Sequence, residues 1–273
     1  MIAQFALRLI CGMSLMWALM PRRQVTSGFF RIQMLVVMGL GVLAALSAKM
    51  AWMDGPAFSE FSQTMLLSDR ATVVAGGIIG FAGFVGSALW TLERRAGGER
   101  IGFLILAAAT FALTLTNVGQ QVWTRWPAWL APISHLAGAA VLGATTVGML
   151  LGHWYLTAPT MSIEPLKRIN FYLCLAGCLR LLMSTLMLAL AWFASWWEDG
   201  SVAERLKGSV LMILSVRWLA GVIGPLVISL MVWRILKYRN TQAATGVLFV
   251  GVILAFMADM MAALLLQETK IPL

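Results

Sequence analysis

The sequence predicts an all-α polytopic membrane protein, and two observations support that prediction. Hydrophobic residues make up 60% of the 273-residue chain, charged residues make up 11%, and the mean hydropathy is +0.86. One water-soluble core could not bury that much apolar surface. The apolar residues are also gathered into separate runs of about 20 residues, the length that an α-helix needs to cross a bilayer. We therefore expect a single transmembrane helical domain over residues 1–273.

Eight such runs predict a bundle of eight transmembrane helices. They cover residues 2–20, 32–53, 71–92, 101–123, 133–154, 170–192, 209–236 and 243–266. The first run could also be a secretory signal, but its basic residues, Arg22 and Arg23, follow the apolar stretch, whereas a signal carries them before it. No small-residue cleavage site is present either. We therefore expect the first run to be a retained helix.

Glycine and proline refine two of these helices. Helix 3 has glycines at 76, 80, 83 and 86, a spacing that lines small residues along one face. Membrane helices use such faces to pack closely, so this pattern predicts a helix contact and not a phosphate-binding loop. In helix 7, Pro225 follows Gly224. Proline lacks an N–H and its ring crowds the preceding turn, so we expect a kink or an interruption there.

Charge predicts the orientation of the bundle. The net charge is +9, but in so apolar a chain it reflects basic loops better than nucleic-acid binding, which we do not expect. Most basic residues lie in the loops after helices 1, 3, 5 and 7: Arg22, Arg23, Arg31, Arg94, Arg95, Arg100, Lys167, Arg168, Arg234, Lys237 and Arg239. By the positive-inside rule these loops are cytoplasmic and both termini lie outside, which suits the inner (cytoplasmic) membrane of a bacterium.

Ionisable residues inside the apolar runs are the candidate functional residues. Arg180 lies in the middle of FYLCLAGCLRLLMSTLMLALAW, and Arg217 lies in helix 7. Arg8 and Asp259 each lie about 10 Å below the outer end of a helix, so we expect them to form a buried ion pair. Arginine never loses its charge there, and such residues usually mark a functional site. Backbone carbonyls, hydroxyls or lipid headgroups could also satisfy these guanidinium groups, whereas an excess of buried arginine favours an anionic or electron-rich ligand at Arg180 and Arg217.

The two histidines offer a second set of candidates. His135 and His153 are eighteen residues apart on helix 5, which is five turns and therefore one face. They could each ligate a heme b, although each heme would need a further axial ligand. Alternatively, His153 and the neighbouring Tyr155, in the run GHWYLTAP, could bind a quinone or another ligand together with the arginines. Quinone and heme b are therefore the expected cofactors.

No catalytic or metal-binding motif can be assembled from the sequence. It offers no Ser/His/Asp set, no phosphate loop, and no cysteine–histidine spacing that would hold a metal. The short extramembrane segments favour a noncatalytic membrane subunit of a larger electron-transfer assembly, which takes its redox centres from protein partners in the bilayer. Two alternatives remain: a permease for a small anionic solute, and an assembly or scaffold subunit.

Overall fold

The computed structural model describes residues 1–53, 60–118, 130–195 and 208–269, and almost all of them are helical. The first four helices are α1 (Ile2–Leu19), α2 (Ser27–Met53), α3 (Glu60–Thr91) and α4 (Arg95–Val118). The remaining helices are α5 (Leu130–Trp154), α6 (Glu164–Ser195), α7a (Ser209–Trp218), α7b (Gly224–Lys237) and α8 (Thr241–Thr269). Eight spans in this part of the chain are long and apolar enough to cross a membrane, with α7a and α7b forming one of them.

Consecutive spans run in opposite directions, so the bundle has two ends. The end where α1 begins and α8 ends is called here the terminal face, and the other end, with the turn after α1, is the loop face. Several helices are longer than predicted: α2 begins at Ser27, α3 at Glu60 and α6 at Glu164. Their extra turns are more polar than the apolar runs from which the spans were predicted. The predicted end of helix 4, residue 123, lies outside the described residues.

α1 and α5 form the centre of the bundle. They are the two most buried spans, and α5 also packs against α6 and α8. At their crossing, a Cβ atom on Gly12 would collide with the backbone of Ala139 and Gly143. Two helix backbones can approach this closely only where side chains are absent. The helix whose sequence also resembled a secretory signal is therefore part of the core.

α2 and α3 pack along the glycine face that the sequence predicts. A Cβ on Gly76 would lie 2.7 Å from the carbonyl oxygen of Gly41, and a Cβ on Gly83 would lie 2.8 Å from that of Met34. Gly86 faces the Met34 sulfur, whereas Gly80 makes only an ordinary van der Waals contact with Val42. The packing role of these glycines is confirmed.

The seventh span is widened near Pro225 and does not break there. Residues Leu219–Ile223 form a π-helical turn between α7a and α7b, in which the Gly224 N–H donates to the Leu219 carbonyl oxygen. The wider turn makes room for the proline ring. It also accommodates the backbone carbonyl that receives no hydrogen bond because proline has no N–H. The predicted interruption is therefore a local widening, one turn beyond Arg217. Such π turns are frequent at functional sites.

The outer surface of the bundle is apolar. Large side chains such as Phe81, Phe111 and Phe171 are more than 60% exposed. A water-soluble surface would rarely carry so much continuous apolar area, whereas lipid chains cover it without cost. The chain is accordingly a multi-pass membrane protein whose outer surface contacts the bilayer.

Candidate functional site

Arg8 on α1 connects three helices near the terminal face. Its Nη1 donates to Asp259 Oδ1 on α8 at 2.8 Å, and its Nη2 lies 2.8 Å from His135 Nδ1 on α5. Arg8 and Asp259 are 7% and 6% exposed, so the ion pair is buried. Nearby, Phe5 on α1 and Phe256 on α8 pack edge to face. The ion pair is the one that the depths of Arg8 and Asp259 predict.

The contact with Arg8 fixes the tautomer of His135. A guanidinium group only donates hydrogen bonds, so Nδ1 of His135 must accept one. In a neutral imidazole the proton then lies on Nε2, which becomes a donor. His135 therefore presents an N–H, and not a lone pair, on the side away from Arg8.

Arg180 on α6 lies against the first turns of α5. Its Nη1 donates to the carbonyl oxygen of Ser134 at 2.7 Å and to the Ser134 hydroxyl at 3.1 Å. Gly138, one turn further along α5, leaves room for the guanidinium, because a Cβ there would lie 3.2 Å from Nη1. Arg180 is 6% exposed, so it does not reach the bilayer surface.

Arg217 on α7a is the largest fully buried side chain among the described residues, at 1% exposed. Its Nη2 has no hydrogen-bond partner within that part of the chain. One turn later Gly221 packs against Ala258, because a Cβ on Gly221 would lie 2.7 Å from the Ala258 Cβ. This close approach of the π turn to α8 keeps Arg217 near Asp259, with which it interacts electrostatically.

These side chains form one electrostatic cluster, the arginine layer, defined as Arg8, His135, Arg180, Arg217 and Asp259. Arg217 interacts electrostatically with Arg8, Arg180 and Asp259, and Arg180 with Arg8 and Asp259. Counted along their spans at about 1.5 Å per residue, Arg8, Arg217 and Asp259 all lie about 10 Å from the terminal face. The layer thus holds three guanidinium groups and one carboxylate.

Two further donors near this depth are buried without partners among the described residues. They are Nε of Arg8 and the hydroxyl of Ser184, one turn beyond Arg180 on α6. The sequence offered hydroxyls only as a general kind of group that could satisfy an arginine, and it offered no signal for Ser134 or Gly138. Their roles depend on which faces of α5 and α6 meet, and that is a property of the packing.

The other predicted ligand-binding residues lie at the opposite end of α5. His153 is exposed at the loop face, about 27 Å from His135 by helix rise. Tyr155 is buried and donates to the Ser162 carbonyl oxygen at 2.6 Å, and burial raises the pKa of its phenol. Trp154 Nε1 donates to the Thr26 hydroxyl. These contacts anchor the end of α5, so the structure does not unite His153 and Tyr155 with Arg180 and Arg217 in one site.

Fold and site together define a class: a polytopic helical membrane protein with a net-positive polar layer buried in its bundle. Comparison with protein-family models, curated proteins and solved structures finds no match to this chain.

Proposed function

We propose that this protein is an integral membrane subunit of an energy-converting, electron-transfer assembly, and that its arginine layer binds the head group of a quinone. The observation that carries the proposal is Arg217 Nη2, a charged donor that is buried without an acceptor among the described residues. Leaving such a donor unpaired costs about 1–3 kcal/mol or more. An electron-rich ligand that accepts this hydrogen bond would recover that energy.

The charge balance of the arginine layer favours the same kind of ligand. Three guanidinium groups face one carboxylate in a region where water does not screen them. A quinone enters an apolar site as a neutral molecule, and its carbonyl oxygens accept hydrogen bonds. The negative charge that develops on reduction would then be stabilised by the surplus of positive charge.

Heme b, the other expected cofactor, has less support. Heme iron binds the lone pair of an imidazole nitrogen. In His135, Nδ1 accepts from Arg8 and Nε2 therefore carries the proton. His153 is exposed at the loop face. These two observations argue against the pair of hemes.

The proposed setting follows from the sequence. The extramembrane segments are too short for a redox domain, so electrons would come from partner subunits bound in the same bilayer. By the positive-inside rule the basic loops favour a cytoplasmic loop face and external termini, in the inner membrane of a bacterium.

The test measures binding of a decyl-substituted benzoquinone to the protein in nanodiscs by equilibrium dialysis. Arg217→Gln should weaken binding by about 10- to 100-fold, because hydrogen bonds from charged groups contribute about 1.5–3 kcal/mol. Arg23→Gln, which changes an exposed arginine at the loop face, is the matched control. Equal affinity in Arg217→Gln and wild type would refute the proposal. Heme bands in a reduced-minus-oxidised spectrum that vanish in His135→Ala would also contradict it.

A second candidate function is a permease for a small anionic solute. The π turn begins two residues after Arg217 and Pro225 follows it, and irregular membrane helices often border transport sites. Uptake of labelled succinate or phosphate into proteoliposomes, lost in Arg217→Gln and unaccompanied by quinone binding, would select the permease.

A further inference from the structure

α6 and α7b meet along a seam that runs to the loop face. Asn170 Nδ2 on α6 donates to the Ser229 carbonyl oxygen on α7b at 2.9 Å. Deeper in the membrane, a Cβ on Gly177 would lie 2.8 Å from the Leu226 side chain. These two contacts fix which flanks of the two helices face each other. Residues one or two turns from Asn170 or Ser229 on the same flank therefore border the seam.

Two lysines border the loop-face end of the seam. Lys167 precedes Asn170 by three residues, and Lys237 follows Ser229 by eight, with Trp233 midway. Residues at these spacings share one face of a helix, so Lys167 and Lys237 flank the seam from opposite sides. Their depths also agree, because α6 begins three residues before Lys167 and α7b ends at Lys237.

Both ammonium groups are accessible from outside the bundle. Lys237 Nζ lies 3.8 Å from the centre of the Trp233 ring, which is a cation–π contact. Because Trp233 is 53% exposed, this contact holds the ammonium group at the outer surface. Lys167 is exposed as well. Neither lysine has a carboxylate within ion-pair distance in the described part of the chain.

The chain around this end of the seam carries an excess of positive charge. Residues 163–168 and 233–241 contain one acid, Glu164, and five basic side chains: Lys167, Arg168, Arg234, Lys237 and Arg239. Glu164 pairs with Arg168 at 3.8 Å, one turn away on the same helix. The other four basic groups have no counterion among the described residues, so an anion from outside the chain would be attracted here.

Below its basic end the seam is bordered by apolar side chains that face the bilayer. Phe171, one turn from Lys167, is 64% exposed, and Leu230, three residues before Trp233, is 52% exposed. A soluble anion would gain nothing from this surface, whereas the acyl chains of a lipid would pack on it. The combination of a basic end and an apolar continuation therefore favours an anionic lipid.

We propose that the loop-face end of the seam, at Lys167, Trp233 and Lys237, binds the phosphate group of an anionic phospholipid. The two ammonium groups donate to the phosphate oxygens from opposite sides, and the acyl chains lie along Phe171 and Leu230. The site is on the outer surface, so a lipid reaches it by lateral diffusion without entering the bundle. It goes beyond the proposed function, which concerns the arginine layer alone.

The experiment measures lipid retention by native mass spectrometry, after exchange into detergent that contains phosphatidylglycerol and phosphatidylcholine with the same acyl chains. Phosphatidylcholine has the same phosphate group but no net charge. Lys167→Gln, Lys237→Gln and the double variant are compared with wild type. Arg31→Gln, which removes an exposed basic side chain near the loop-face end of α2, is the matched control. Thermal unfolding should be unchanged in all variants, because each side chain is exposed.

Each lysine substitution should lower the retention of phosphatidylglycerol about fivefold, the equivalent of about 1 kcal/mol, and the double variant about 25-fold. Retention of phosphatidylcholine, and of phosphatidylglycerol in Arg31→Gln, should stay nearly unchanged. Equal losses in Arg31→Gln and the lysine variants would show general attraction to a basic surface and overturn the proposal, as would unchanged retention in the double variant. Lysine-dependent binding of inorganic phosphate that displaces phosphatidylglycerol would assign the lysines to a soluble anion and overturn the lipid.

Discussion

Arg180 shows how the membrane interior accommodates a guanidinium group. It donates to a backbone carbonyl and a hydroxyl of Ser134, in the first turns of α5. The sequence left this kind of partner and an anionic ligand as alternatives for Arg180, and the structure shows the first. Arg180 and Arg217 are both buried, so headgroups at the bilayer surface do not satisfy them.

Replacing Arg180 by leucine should abolish quinone binding while leaving insertion and thermal stability nearly unchanged. The substitution removes a buried charge whose desolvation is costly, and apolar replacements of buried charges are often neutral or stabilising. Membrane yield, thermal unfolding in detergent and dialysis with decyl-substituted benzoquinone measure the three quantities. Arg23→Leu is the control, and full quinone affinity in Arg180→Leu would reduce the residue to a packing role.

The ion pair of Arg8 and Asp259 should respond unequally to the loss of either partner. Asp259 is the only carboxylate in the arginine layer, so Asp259→Leu leaves three guanidinium groups together and should cost about 3–5 kcal/mol of unfolding free energy. Arg8→Met should cost less, since Asp259 still faces Arg217 and Arg180.

Unfolding free energies in bicelles measure this asymmetry, and the double variant Arg8→Met, Asp259→Leu tests the coupling. An additive double variant, or a larger cost for Arg8→Met, would contradict a shared carboxylate. A charge swap is a weaker test, because a carboxylate at position 8 would lose the contact with His135 Nδ1.

At the scale of helices, the contact between α1 and α5 positions the arginine layer. α1 carries Arg8 and α5 carries His135, so the distance between these two backbones sets the geometry of the contact between Arg8 and His135. The sequence indicated a close glycine contact in α3 but gave no comparable pattern for Gly12. An isolated glycine in one helix is informative only when its partner helix is known.

Gly12→Ala should destabilise the protein by about 1–3 kcal/mol or more, because the added methyl group would collide with the α5 backbone. Gly39→Ala, at a position with no neighbour within 4 Å, should stabilise α2 by up to about 1 kcal/mol through helix propensity. Thermal unfolding in detergent compares the two. If both substitutions stabilised the protein equally, the tight crossing of α1 and α5 would be wrong.

At the scale of the whole molecule, the bundle separates two chemical environments. The arginine layer lies toward the terminal face and is net positive, whereas Arg22 and Glu99 at the loop face form a neutral pair. Which face meets the cytoplasm therefore decides from which side the arginine layer is reached.

The positive-inside rule predicts that both termini are outside, and reporter fusions test this directly. A C-terminal alkaline phosphatase, which is active only outside the cytoplasm, should be active, and a C-terminal green fluorescent protein should be dark. A fusion after Lys237, in the turn between α7b and α8, should give the reverse pattern and serves as the control. Bright fluorescence from the C-terminal fusion would show that the orientation is the opposite one, with the arginine layer in the cytoplasmic half of the membrane.

The sequence by itself determined the fold class, the eight spans and the position inside the membrane of four charged residues, Arg8, Arg180, Arg217 and Asp259. These follow from composition and from the fixed rise of a helix, which are local properties. Equal depth along α1 and α8 was enough to predict that Arg8 meets Asp259.

Only the tertiary structure decided which helices are neighbours. It assigned His135 to Arg8, placed Arg180 against Ser134, and separated His153 and Tyr155 from the arginines. Depth along a helix is set by the number of residues, but rotation about its axis and choice of partner are set by packing between surfaces that lie far apart in the sequence. No local pattern encodes those two quantities.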